Sequence, residues 1–382
     1  MATKPETTAR TKAAWPLGLI GAFALIGLIE REIGRREGLQ FTTAWAADWR
    51  NAGKLARREA VDSSILCFGD SLVKFGVSPQ VLEYETGLRA YNLALNVGHP
   101  ASSYFLLKRA LDAGAKPRAI VVDFKSHVLA KAPQVHPRLW PELVSTSEWL
   151  DLSRETRDPE FAARMLASSL FSSVRSTFEI REAIIASLDG QWSPSAYLMP
   201  VARRNWRVNR GAQLMPKGTR IDDAPFSDDL YPASWSCDPV QERYVHRFLE
   251  LAESTGADVF LVIPPPCPSV QARREAGVVD SLYEQFLRKT LASHPRVRLL
   301  DGRHAGYGPE VFSDALHLDR DGAVAYSQGL AEAVRQASNG RLDDSRWVAL
   351  PRFRLRPFPG DAEDFQRSRR IVDNLQADGT RR

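Results

Sequence analysis

The sequence predicts an α/β fold in which a mostly parallel central sheet is covered by helices on both faces. Short apolar runs at residues 64–68, 119–124 (broken only by Asp123) and 257–263 (broken only by Asp258) have the length and near-absence of charge of strands buried on both sides. Between such runs lie helical patterns, as at residues 102–113, where Phe105, Leu106, Ala110 and Leu111 share one side. Turn residues close the runs abruptly: Gly69 after the first, Pro264-Pro265-Pro266 after the third. Strands alternating with helices argue for a layered α/β sandwich, with sites beyond the carboxyl ends of the strands.

Taken in order, residues 1–12 are polar and carry Lys4, Arg10 and Lys12 against Glu6 alone. Residues 13–29 hold no charged side chain, a run near the lower limit of about 17 residues for a spanning helix. Its basic flank favours an N-inside orientation with the remaining chain exported. The run reads as an uncleaved single-pass membrane anchor, residues 13–30. A cleaved signal peptide is the alternative, since Ala44-Trp45-Ala46 has a small-x-small pattern, although it lies well past the apolar run. Residues 31–60 read as a charged helical stalk.

The globular domain then spans residues 61–340. Residues 88–95 are a second strand, followed by Asn96-Val97-Gly98-His99-Pro100, and residues 297–300 a last short one before the helix at 323–334. Residues 130–238 break the pattern. Prolines punctuate this insertion, and Trp140, Trp149, Trp192, Trp206 and Trp235 argue against disorder. It reads as a cap shaping a pocket, its tryptophans a platform for sugar faces, or equally as a subdomain packed on the body. Residues 341–382 form a basic tail without a clear period.

Two stretches concentrate the chemistry. In Gly69-Asp70-Ser71, the glycine permits a sharp reversal past the first strand, Asp70 can cap the turn, and Ser71 stands at the mouth of the sheet. A lone triplet of this kind also makes ordinary turns. Near the other end, Asp314-Ala315-Leu316-His317 places a carboxylate and an imidazole three residues apart, so one turn can present both on one side. A serine nucleophile needs a base, and a histidine base needs a carboxylate to fix its tautomer.

Together these stretches resemble the SGNH/GDSL superfamily of serine hydrolases, over roughly residues 63–334 with a large insertion. The resemblance implies a three-layer SGNH-like domain with Ser71 as nucleophile, His317 as base and Asp314 as its orienting acid. Such enzymes complete an oxyanion hole with a glycine after the second strand and an asparagine after the third. Gly98 sits similarly to that glycine, with Asn96 beside it, although a turn glycine with positive φ reads equally well. After the third strand the chain has no Gly-x-Asn-Asp but Asp123-Phe124-Lys125-Ser126-His127, which makes Lys125 or Ser126 the candidate donor, the lysine adding charge. With this departure the chain looks more like divergent membrane-tethered members associated with acyl transfer to envelope polymers. The implied function is a membrane-anchored serine esterase acting on an acyl ester. O-acyl transfer onto or off an envelope polysaccharide, with a partner membrane acyltransferase, is one alternative. A non-catalytic envelope scaffold is another.

Composition narrows the remaining classes. At 382 residues, with 44% hydrophobic and 25% charged side chains, the chain can bury a sizeable core. The formal charge of +5 is small and falls largely on tail arginines that accompany no nucleic-acid motif, so no nucleic-acid partner is expected. Cys67 lies inside the first strand and Cys267 just past another, so both read as small core residues, while a single disulfide among Cys67, Cys237 and Cys267 stays open for an exported domain. His246 reads as a surface or core residue, and His99, His127 and His136 as residues that can reach the pocket. No cluster has metal-ligand spacing, so neither metal nor cofactor is expected.

Overall fold

The computed structural model describes residues 17–36, 44–190, 194–218, 226–339 and 345–379. Six parallel strands, β1 (Ile65–Phe68), β2 (Ala90–Asn92), β3 (Ala119–Val122), β4 (Asp258–Ile263), β5 (Val297–Asp301) and β6 (Trp347–Ala349), pair in the order β2-β1-β3-β4-β5-β6. Ile65 faces Ala90 on one side and Ala119 on the other, so β1 lies inside the sheet and its four residues are buried on both faces.

Strand alternation divides the core in two. Ile65 and Cys67 point to one face with Val73, Leu82, Phe260 and Tyr326, under the helices Ser71–Gly76, Pro79–Thr86, Pro268–Ala276 and Arg320–Ser338. Leu66 and Phe68 point to the other with Phe105, Phe248 and Leu261, under Pro100–Asp112, Pro239–Ser254 and Val279–Ser293. Each such side chain, fully buried, contributes about 1.5–3 kcal/mol. The result is a six-stranded, all-parallel sheet between two helical layers, as the apolar runs imply. From β1 the chain crosses to β2 on one side and then returns to β3 on the other. This reversal opens a crevice at the carboxyl ends of β1 and β3.

Several expectations shift. Residues 93–95 of the expected second strand leave the sheet, and Leu95 donates its N–H to the Gly69 carbonyl at 3.0 Å. The C-terminal segment contributes β6, a strand without a sequence signal because it is a short, half-exposed edge. It continues into the helix Phe365–Gly379, so it is not a featureless tail. Residues from Ala44 onward belong to the packed body instead of a stalk: Trp49 is fully buried, with Ala52, Ala56 and Ala60 in the same core. The insertion is mostly helical, and Trp140, Trp149, Trp206 and Trp235 are all buried, which makes them packing residues; Trp192 lies outside the described residues. Cys67, Cys237 and Cys267 are free thiols. The helix Leu17–Arg36 carries most of the apolar N-terminal run, whose residues 13–16 lie outside the described residues. Among the described residues, no helix is long and apolar enough to cross a membrane.

Candidate active site

The serine turn is built by close backbone approach. Gly69 adopts φ +126°, and a Cβ there would lie 1.7 Å from Asp123 Oδ1, so only glycine fits. Asp123, just past β3, accepts the N–H of Asp70 at 2.9 Å. Asp70 in turn accepts the N–H of Leu72 at 2.7 Å and caps the helix Ser71–Gly76, whose first residue is Ser71. Burial and the neighbouring Asp70 charge hold the Asp123 carboxyl well above the usual carboxylate range.

The Asp-His loop is held mainly by its own groups. Asp314 Oδ1 accepts the N–H groups of Leu316 (2.8 Å) and His317 (2.9 Å), and Ser313 donates its N–H to the His317 carbonyl at 2.8 Å. Asp319 ends the loop by capping the helix Arg320–Ser338. His317 Nδ1 lies 2.8 Å from Asp314 Oδ2, and its Nε2 lies 2.9 Å from Ser71 Oγ across a separation of 246 residues. Burial raises the Asp314 carboxyl, but the hydrogen bond and charge of His317 with the two N–H groups outweigh it, so the net shift is downward. Phe75 meets the His317 ring edge-on at 4.9 Å, which fixes the ring's tilt.

These groups open on a cleft of ≈ 510 Å³ whose wall includes Trp45, Asn96, Val97, Lys125, His127 and Phe226. Lys125 is buried; its carbonyl accepts the N–H groups of Val128 and Leu129, while its ammonium forms no hydrogen bond or ion pair among the described residues. Burial lowers its pKa against the opposing pull of Asp70 and Asp123. Gly98 does not offer its N–H to the cleft, because that group bonds the Leu95 carbonyl at 3.1 Å. Its lack of a side chain serves packing: a Cβ would lie 2.2 Å from the Gly69 carbonyl oxygen. The positive φ expected for this glycine falls on Val97 instead, at 55°, an unfavourable value for a β-branched residue.

Sequence reasoning missed the support beneath Asn96. Its N–H and side-chain amide point to Asp48 Oδ2 at 3.2 and 3.5 Å, while its carbonyl accepts the Trp49 indole N–H at 2.8 Å. Asp48 also pairs with Lys74 at 2.6 Å, both side chains 3% exposed. Removing either partner of such a pair costs about 3–5 kcal/mol. Burial raises the Asp48 carboxyl, opposed by Lys74 and Asn96. The alanines at 52, 56 and 60, spaced four apart, were the readable sign that this segment, the end of the helix Ala44–Leu55 and the turns after it, buries a face.

The histidines divide by environment. His127 lines the cleft with its Nδ1 unpartnered among the described residues, and burial holds it well below its usual pKa, hence neutral. His99 is packed between Gln241 (Nδ1 to Nε2, 2.7 Å) and His136 (Nε2 to Nδ1, 3.3 Å), and burial lowers it to about 3. His246 stacks on His294 away from the cleft. No group of His, Cys, Asp and Glu suited to a metal ion occurs among the described residues.

A strap at residues 210–218 closes the cleft wall. Arg210 accepts the Asn92 N–H, Gln213 donates to the Lys74 carbonyl at 3.0 Å, and Met215 bridges Asp319. Gly218 lies against Ser313, where a Cβ would come within 2.0 Å of its carbonyl oxygen. Searches against family models and against curated proteins found no match for this chain.

Proposed function

We propose that the chain is a membrane-anchored serine esterase of the SGNH/GDSL kind, acting on an acyl ester. One observation carries this reading: the continuous hydrogen-bonded line from Ser71 Oγ through His317 to Asp314, at 2.9 and 2.8 Å. In the proposed reaction His317 Nε2 takes the Ser71 proton as Oγ attacks the ester carbonyl, and Asp314 stabilises the resulting imidazolium. The tetrahedral intermediate collapses, His317 returns the proton to the departing alcohol, and the acyl group remains on Ser71. Water, deprotonated by His317, then releases the acid. The Ser71 N–H and the buried Lys125 ammonium are the proposed oxyanion donors, Lys125 standing where the resemblance expects an asparagine.

A second reading, O-acyl transfer, has its own support. The cleft is large for an acyl group alone, and the Trp45 ring, 45% exposed, stands in its wall as a surface on which a sugar face can rest. A sugar hydroxyl would then replace water in the second step. The anchor reading also gains from Trp45, since cleavage after Ala46 would remove that ring from the cleft.

Labelling with a serine-directed fluorophosphonate and locating the adduct tests both readings. The expected adduct is on Ser71, and Ser71→Ala should abolish it and lower turnover of short acyl esters by about 10³-fold or more. An oligosaccharide acceptor that diverts the acyl group from water selects transfer. Folded protein with neither turnover nor adduct would leave the scaffold in front.

A further inference from the structure

Outside the cleft, exposed large apolar side chains cluster in two places that touch, while others such as Tyr84 and Leu355 are scattered singly. The first is the helix Leu17–Arg36. At about 100° per residue, Phe23, Ile20, Leu28, Leu25 and Ile26 cover its whole circumference, and each is between 46% and 65% exposed. A protein partner covers one stripe of a helix, whereas lipid surrounds every side.

The second place is the helix pair Pro159–Leu170 and Thr177–Leu188 of the insertion. The first helix buries Phe161 and Met165 against the body yet exposes Leu166 and Leu170. Along the second, Ile184, Ile185 and Leu188 form an exposed stripe, Leu188 at 82%, and Phe171 is exposed between the helices.

Glu30 joins the two places. It is the first charged residue after the apolar run, and it accepts the N–H of Ser173 at 2.9 Å together with the Ser173 hydroxyl. Ser173 belongs to the short helix Ser172–Arg175 that links the pair. A helix leaves the hydrocarbon where its charges begin, so this contact sets the linker at the membrane interface. Arg31 and Arg35 follow on the same helix and Arg181 lies beside the Ile184 stripe, cations suited to headgroup phosphates.

We infer that Pro159–Leu170 and Thr177–Leu188 form a second membrane-contacting surface, which seats Leu166, Leu170, Phe171, Ile184, Ile185 and Leu188 at the headgroup–acyl boundary of a phospholipid bilayer. The inference rests on the anchor reading of the N-terminal run. A single spanning helix leaves an attached body free to swivel. A second contact fixes its tilt, and so holds the cleft mouth at a constant height above the lipid.

The test is lipid-phase photolabelling of the full chain in phosphatidylethanolamine/phosphatidylglycerol vesicles, with a membrane-partitioned diazirine and adducts located by peptide mass spectrometry. Adducts are expected on residues 17–29 and again on 166–188, several-fold above those on Tyr84, an exposed ring of the body. Leu170→Glu with Leu188→Glu should remove the second set and keep the first. Labelling of 17–29 alone overturns the second surface and leaves the anchor standing. Labelling of neither overturns both. Cross-links between copies through 166–188, in place of lipid adducts, make this face a self-association surface and overturn the lipid assignment.

Discussion

The serine turn and the Asp-His loop meet across one hydrogen bond, yet they are held in opposite ways. The turn is over-determined from outside. Gly69 faces the Asp123 carboxylate, Gly98 presses on the Gly69 carbonyl, and Asp70 hangs from Asp123. The loop is closed mainly by its own groups, with Asp314 accepting N–H groups two and three residues ahead. The position of Ser71 is therefore a property of the sheet. The orientation of His317 is set locally, by the Asp314 carboxylate and the Phe75 ring. Damage to the first should cost stability, and damage to the second should cost rate.

The sharpest way to break this comparison is Asp314→Asn. The amide oxygen can still accept the Leu316 and His317 N–H groups, so the loop should keep its shape and the protein its melting temperature. The amide NH₂ would face His317 Nδ1 and fix the wrong tautomer, so kcat should fall by about 10³- to 10⁴-fold. A loss of stability matching the loss of rate would show that the loop is not self-sufficient. Gly69→Ala is the converse. Its Cβ has no room beside Asp123, and its φ is costly for alanine, so chemical denaturation should reveal a loss of about 3 kcal/mol or more. Unchanged stability would mean that the turn can relax.

The smallest effect expected is a pH dependence. The folded state favours protonated Asp123, a stabilisation complete below the ordinary value of 3.8 and lost as pH climbs through the raised folded value. Asp123→Asn keeps the acceptor for the Asp70 N–H and has no proton to lose. Its melting temperature should therefore match the parent near pH 4 and decline less steeply toward neutrality. Parallel curves would remove Asp123 from the account.

The layered sheet was legible because strands buried on both faces write themselves as apolar runs: β1 and β3 do so throughout and β4 does so after Asp258, while β5 keeps only Val297, Leu299 and Leu300 around Arg298. Ser71, Asp314 and His317 were legible because their chemistry needs those residue types in recognisable local patterns. What stayed hidden depends on long-range placement. Trp45 and Asp48 precede the first strand, in a segment whose charges suggested a stalk, and only its alanine spacing carried the buried face. The role of Gly98 was misassigned because a close backbone approach and an N–H donor both call for glycine. The tryptophans of the insertion resembled a sugar platform by composition, although burial assigns Trp140, Trp149, Trp206 and Trp235 to the core.

The strap at residues 210–218 also bears on when a competent cleft comes into being. Its contacts with Asn92, Lys74, Phe312 and Asp319 join segments far apart in the chain. Closing long loops is entropically slow, and such pairings form late. During folding the sheet can therefore close around β1 and β3 while the wall between Ser71 and His317 is still open. A chain that has regained its secondary structure would then pass through an interval with a buried core and an open cleft.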